Sequence, residues 1–154
     1  MRALHAAAVL GLLVLAPGAD AAPPRARVVV GDTGGSGQTR LLLRRVLGEE
    51  IDRSVPELRH AGTAWYELSG SVTRLVRVPD PTGVVLSCEV SLLLVEKPGG
   101  SLRALLSGSA HLNRDRKRAV EAGGDEADVE EALRIAVRGA LRPLRTAVGL
   151  SRVR

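Results

Sequence analysis

The residue types best suited to chemistry lie in Gly31-Asp32-Thr33-Gly34-Gly35-Ser36-Gly37-Gln38-Thr39, between an apolar run and a helix-like stretch. A glycine-rich turn opening a helix is where a phosphate is cradled, because backbone N–H groups and the helix dipole face it. That chemistry wants glycine at the first motif position and lysine before the hydroxyl residue. Asp32 and Gln38 stand there instead, so the cation is missing and a carboxylate would repel phosphate. A flexible strand-to-helix turn is the reading these residues leave. His60 and His111 stand apart from any Cys, Asp or Glu at ligand spacing, so neither a metal nor another cofactor is expected. Ser87, Ser91, Ser107 and Ser109 alternate along strand-like segments without a nucleophile elbow, and read as a polar sheet face. Cys88 falls on the apolar side of its segment, as a buried structural thiol does.

Asp32-Thr33-Gly34, following Val28–Val30, resembles the motif of aspartic proteases. Those enzymes pair two such carboxylates that share one proton, so a single copy would need a homodimer. The helix-like stretch after it contradicts the all-β continuation of that family. Asp32 is nonetheless the one candidate acid if the chain is an exported hydrolase, and Asp32→Ala would then abolish activity.

Two groups of residues read as partner contacts. Arg114, Arg116, Lys117 and Arg118, with Asp115 among them, would suit an acidic partner, against the plainer reading of a solvated loop. Leu75 and Leu93, with Val95, would stand among Ser, Thr, Glu and Arg on the outer face of a sheet. Such a face, or its edge, is a common seat for a partner strand or ligand.

The elements that would position these residues follow from periodicity. Ala26–Val30 reads as a strand and Gly31–Gly37 as a loop. Leu42, Leu43, Val46, Leu47 and Ile51 recur at helical spacing from Thr39 to Arg53, with Pro56 near the end. In Tyr66–Val78, Leu68, Val72, Val76 and Val78 are expected on one face, and Glu67, Thr73 and Arg77 on the other. Val84–Glu96 and Ser101–Leu112 alternate in the same way, the latter through Leu102, Ala104, Leu106, Ala110 and Leu112. The short links at Pro79–Gly83 and Lys97–Gly100 demand antiparallel neighbours. Asn113–Gly124 reads as a charged connection, and a second helix as Asp125–Val148, with Asp125 as N-cap and Gly139 and Pro143 weakening its last turns. The expected architecture is α+β: a two-layer sandwich of β-α-β-β-β-α order, its sheet mainly antiparallel, with both helices packed on one face.

The first residues speak to location. Arg2, the apolar run Ala6–Ala16, Pro17-Gly18 and the small-x-small Ala19-Asp20-Ala21 form the secretory pattern, and the run is shorter than the ~20 residues that span a bilayer. Residues 1–21 are therefore expected to be a signal peptide. Residues 22–38 would be entry, first strand and glycine-rich loop, 39–148 the rest of a single domain, and 149–154 a basic tail. With no cysteine near the cleavage site, no N-terminal lipid is expected, and no later segment is apolar enough to cross a membrane. The mature chain should be soluble, in the periplasm or outside the cell.

The net charge is +5, carried almost wholly by arginine. Trp65 and Tyr66 are the only aromatics, too few for the stacking platforms of a single-strand nucleic-acid binder. No nucleic-acid partner is expected. Attraction to anionic lipid or glycolipid is a competing reading, and it predicts vesicle binding that weakens with salt.

Tyr66-Glu67-Leu68-Ser69-Gly70-Ser71-Val72-Thr73, the hairpin through Pro98-Gly99-Gly100 and the alanine-rich helix Ala132–Ala147 together resemble a group of small envelope proteins. They are similar to the LPS-assembly lipoprotein LptE, the penicillin-binding-protein activator LpoB and the N-terminal part of CsgG-type secretion lipoproteins. The resemblance spans residues 27–148 and implies a non-catalytic accessory role beside an envelope protein or an anionic envelope component. The lipobox cysteine of those lipoproteins is absent, so their anchoring does not carry over, and none of their partner-binding positions has a match here.

Overall fold

The computed structural model describes residues 26–59, 64–115 and 124–149. The signal-like segment, the 149–154 tail beyond Gly149, and Arg116, Lys117 and Arg118 lie outside the described residues. Strand β1 (Ala26–Gly34) leads into α1 (Gly37–Ser54), which ends at a 3-10 turn over Pro56–Arg59. The long strands β2 (Ala64–Asp80), β3 (Gly83–Lys97) and β4 (Leu102–Asp115) follow, then α2 (Gly124–Leu141) and the single turn α3 (Leu144–Ala147). The sheet order is β1-β2-β3-β4. β1 runs parallel to β2, as a crossover through α1 requires, while β2, β3 and β4 form an antiparallel meander. The fold is the expected α+β two-layer sandwich, with both long helices on one face.

The core lies between that face and the helices. Leu43, Val46, Leu47 and Ile51 of α1 and Leu133, Ala136, Val137 and Leu141 of α2 bury against Leu68, Leu86, Cys88, Val90, Leu92 and Leu94 of the sheet. Each such Leu or Val removed from water contributes about 1.5–3 kcal/mol, which is why the periodic stripes dictate the layering. At Gly108 a Cβ would sit 2.0 Å from the Ala136 carbonyl oxygen, so glycine lets α2 lie backbone to backbone on β4.

Several local expectations are corrected. Gly31–Gly34 is strand rather than loop: Thr33 and Gly34 pair with Gly70 and Ser71 after an irregularity between Val30 and Thr33. A Cβ on Gly31 would lie 2.5 Å from Glu67 Cγ, so the absence of a side chain permits the pairing that glycine's propensity disfavours. β4 extends to Asp115, into the expected charged connection. Leu102 is exposed, because a register shift at Leu94/Val95 pairs it with Val95, on the outer side. Asp125 stands inside the first turn of α2 rather than before it, and Pro143 separates α3 from α2.

Candidate interaction surface

Period-two alternation places the residues of each strand on one face or the other, and β2 changes phase part-way. Its register against β3 shifts between Val72 and Arg74, leaving Thr73 as an extra residue whose Oγ1 donates to the Glu89 carbonyl at 3.2 Å. A bulge of this kind flips every side chain beyond it. Leu75, opposite buried Cys88, and Arg77, opposite buried Leu86, therefore lie on the helix side, while Val76 and Val78 turn outward. This reverses the expected faces of Leu75, Arg77, Val76 and Val78. Leu75 lines a cleft of about 310 Å³ with Gln38, Thr39, Leu42, Asp125, Glu126 and Val129, at the starts of the two helices. Arg77 donates to Asp125 there and reaches Asp128 at 3.9 Å.

The outer face is left uncovered by any element among the described residues. Near the β3–β4 turn it carries Leu93 opposite Leu105, Val95 opposite Leu102, and Trp65 opposite Lys97. At the far end Val78 stands opposite Val85, with Val76 beside them. Between the two ends runs a polar band, where Thr73, Glu89, Ser91, Ser107 and Ser109 line a shallow depression of about 330 Å³. Of nine large apolar side chains exposed among the described residues, six stand on this face: Trp65, Val76, Val78, Leu93, Leu102 and Leu105. Its charges are largely paired within it, Arg74 with Glu89 at 3.5 Å and Lys97 with Glu67 at 3.1 Å. Leu93 thus sits where the sequence places it, and Leu75 does not.

Arg114 is paired within its own chain. It belongs to β4, donates to Asp128 at 2.9 Å and also to Glu131, and both acids raise its already high pKa. Among the described residues Arg45, Arg53, Arg74, Arg77, Arg103, Arg114, Arg134, Arg138 and Arg145 are held in ion pairs. Much of the basic excess is therefore spoken for inside the fold.

The most buried charge was not visible in the sequence. Glu50 of α1 has no exposed surface and accepts hydrogen bonds from Arg53 (2.6 Å), Arg138 (3.0 Å) and Arg134 (3.3 Å). Burial alone would raise its carboxyl pKa, but the guanidiniums of Arg138, Arg53 and Arg134 outweigh it and hold the group below its ordinary value. The available signal was Arg134 and Arg138, four apart on one helix face. This cluster clamps α1 to α2 and leaves no oxygen open to a ligand.

Two chemically suggestive side chains remain. Burial, followed by the Glu89 charge, pushes the Cys88 thiol up to about 11, so it stays protonated and unreactive at neutral pH. Ser87 Oγ and His111 Nδ1 lie 3.0 Å apart on the outer face. A serine nucleophile needs a third group orienting its histidine and donors for an oxyanion. Among the described residues no carboxylate hydrogen-bonds to His111, and the pair sits on an open sheet. Asp32 is exposed at the edge strand. No group of three or more His, Cys, Asp or Glu among the described residues could hold a metal ion. No described helix is long and apolar enough to cross a membrane.

A comparison with protein-family models finds no match, and neither does one with curated protein sequences. Solved structures do match. A candidate lipoprotein of Caulobacter crescentus shares 19% identity over 80% of this chain and 87% of its own, with a TM-score of 0.50. A PelC dodecamer from Paraburkholderia phytofirmans shares 12% over 79% and 86%, also at 0.50. A hypothetical protein of Chlamydia trachomatis shares 10% over 82% and 99%, at 0.53. At such identities the likeness establishes a shared fold. The three families named from the sequence resemblance are not among these neighbours, and what carries over from that resemblance is the β-α-β-β-β-α layout.

Proposed function

We propose that this chain is an exported, non-catalytic binding or assembly-accessory domain of the bacterial envelope, working through the uncovered face of its sheet. One observation carries the reading: six large apolar side chains gather on a face that no described element covers. Patches of that kind mark interaction sites, since a lone domain gains nothing by exposing them together. The secretory pattern in residues 1–21 supports export. The fold shared with a lipoprotein candidate and with PelC, a dodecamer, supports an envelope setting in which domains of this shape assemble.

A crosslinking pull-down of the tagged chain from its native envelope, with mass spectrometry of bait and prey, tests this. The expected bait begins near Ala22 and brings one dominant partner, which Leu93→Glu with Leu105→Glu removes. A bait that keeps Met1 overturns export. A partner retained by the double variant overturns the role of the outer face.

A further inference from the structure

The outer face has the dimensions and the charge of a surface made to meet itself. Its strands run 9, 17, 15 and 14 residues. At about 3.4 Å per residue and 4.8 Å per strand they cover roughly 900 Å². A stable interface buries about 800 Å² on each partner, so one such face, fully covered, is enough. An acidic or basic partner would call for a net opposite charge, and here Arg74–Glu89 and Lys97–Glu67 cancel within the face. A second copy meets neither repulsion nor unpaired charge in the interior of this surface.

The distribution of bulk along the strands selects the arrangement. The larger side chains, Trp65, Leu93 and Leu105, stand toward one end, and the smaller Val76, Val78 and Val85 at the other, with hydroxyls between. Resting on the reading above, we propose that the occupant of this face is a second copy of the chain, packed sheet on sheet about a two-fold axis across the strands. The operation lays the large end of each copy over the small end of the other, which keeps the separation even at the ~10 Å of packed sheets. Trp65 then covers Val78 of the second copy, and Val95 covers its Ser87. Serines meet serines in the middle, where each hydroxyl both donates and accepts.

Sedimentation equilibrium on the full chain isolated after export should give a dimer at micromolar concentration, and Leu93→Glu with Leu105→Glu a folded monomer with the circular dichroism of the wild type, whose own thermal midpoint falls on dilution. Cysteines at Ser87 and Val95 lie far apart on one strand but face each other across the two-fold, so a short bis-maleimide should crosslink S87C/V95C into a dimer, and neither single variant. A wild-type monomer, or a dimer that both glutamates leave intact, overturns the proposal. A monomer whose envelope partner is still lost in the double variant refutes only the second copy. A monomer whose partner is retained in that variant refutes the broader reading as well. Flotation with anionic vesicles in place of dimerisation would assign the face to lipid and likewise overturn it.

Discussion

The two faces of this sheet are built from the same alternating strands, yet they have different contents and different neighbours. On the covered face Leu68, Leu86, Val90, Leu92 and Leu94 meet two helices and leave almost nothing exposed. On the open face apolar side chains of similar size cluster at the ends and yield to serine in the middle. The contrast separates two uses of hydrophobicity. Burial within the chain pays for folding, while an equal patch left outside contributes to stability only when something covers it.

The contrast is broken most directly by truncating one leucine on each side. Leu92→Ala removes a fully buried side chain and should cost about 2–5 kcal/mol in urea unfolding, the range for large-to-small changes in a packed core. A cost below about 1 kcal/mol would mean that the covered face is not the core. Gly108→Ala addresses the other layer. Its methyl would overlap the Ala136 carbonyl, so α2 must shift, at about 1–3 kcal/mol, read as a lowered thermal midpoint.

Glu50 sharpens the comparison through pH. Glu50→Gln removes one charge from a cluster of three arginines that keep some contact with water, and should cost about 2 kcal/mol at neutral pH. Because the folded carboxyl is held below its ordinary 4.5, its contribution is fully present above that value. The contribution is lost as pH falls through the lower folded value. Urea melts from pH 7 to pH 3 should therefore show wild type and variant converging on the acid side; a constant gap would refute the clamp. The smallest stability effect belongs to the open face. In the monomer Leu105→Ser should change stability by no more than about 0.5 kcal/mol, although it sits in the patch to which binding is assigned by proposal. A loss of several kcal/mol in the monomer would show that this face is covered from within.

How much of this was legible depends on how far each signal travels along the chain. β3 was readable throughout: Leu86, Cys88, Val90, Leu92 and Leu94 keep one phase, and a central strand has no reason to break it. The α1 stripe was equally plain, since Leu42 to Ile51 hold helical spacing. β2 was misread beyond Thr73, because alternation is a running count and one extra residue inverts it without altering composition. The burial of Glu50 was not legible because two of its three arginines, Arg134 and Arg138, lie more than eighty residues away, on α2. For the same reason Arg114 read as free charge, whereas its acids belong to the next element. Periodicity reports which side of an element is buried, and says nothing of what lies across the layer.

The placement of Cys88 also bears on how the chain would fare in the oxidising surroundings that the proposed export implies. A lone exposed thiol there would be captured as a mixed disulfide with whatever thiol partner it met. Opposite Leu75 and Ala110 on the covered face, with its proton held firmly, this sulfur is neither reachable nor nucleophilic. The folded chain therefore presents no competing thiol, and a cysteine introduced on the open face would be the one group that thiol reagents find.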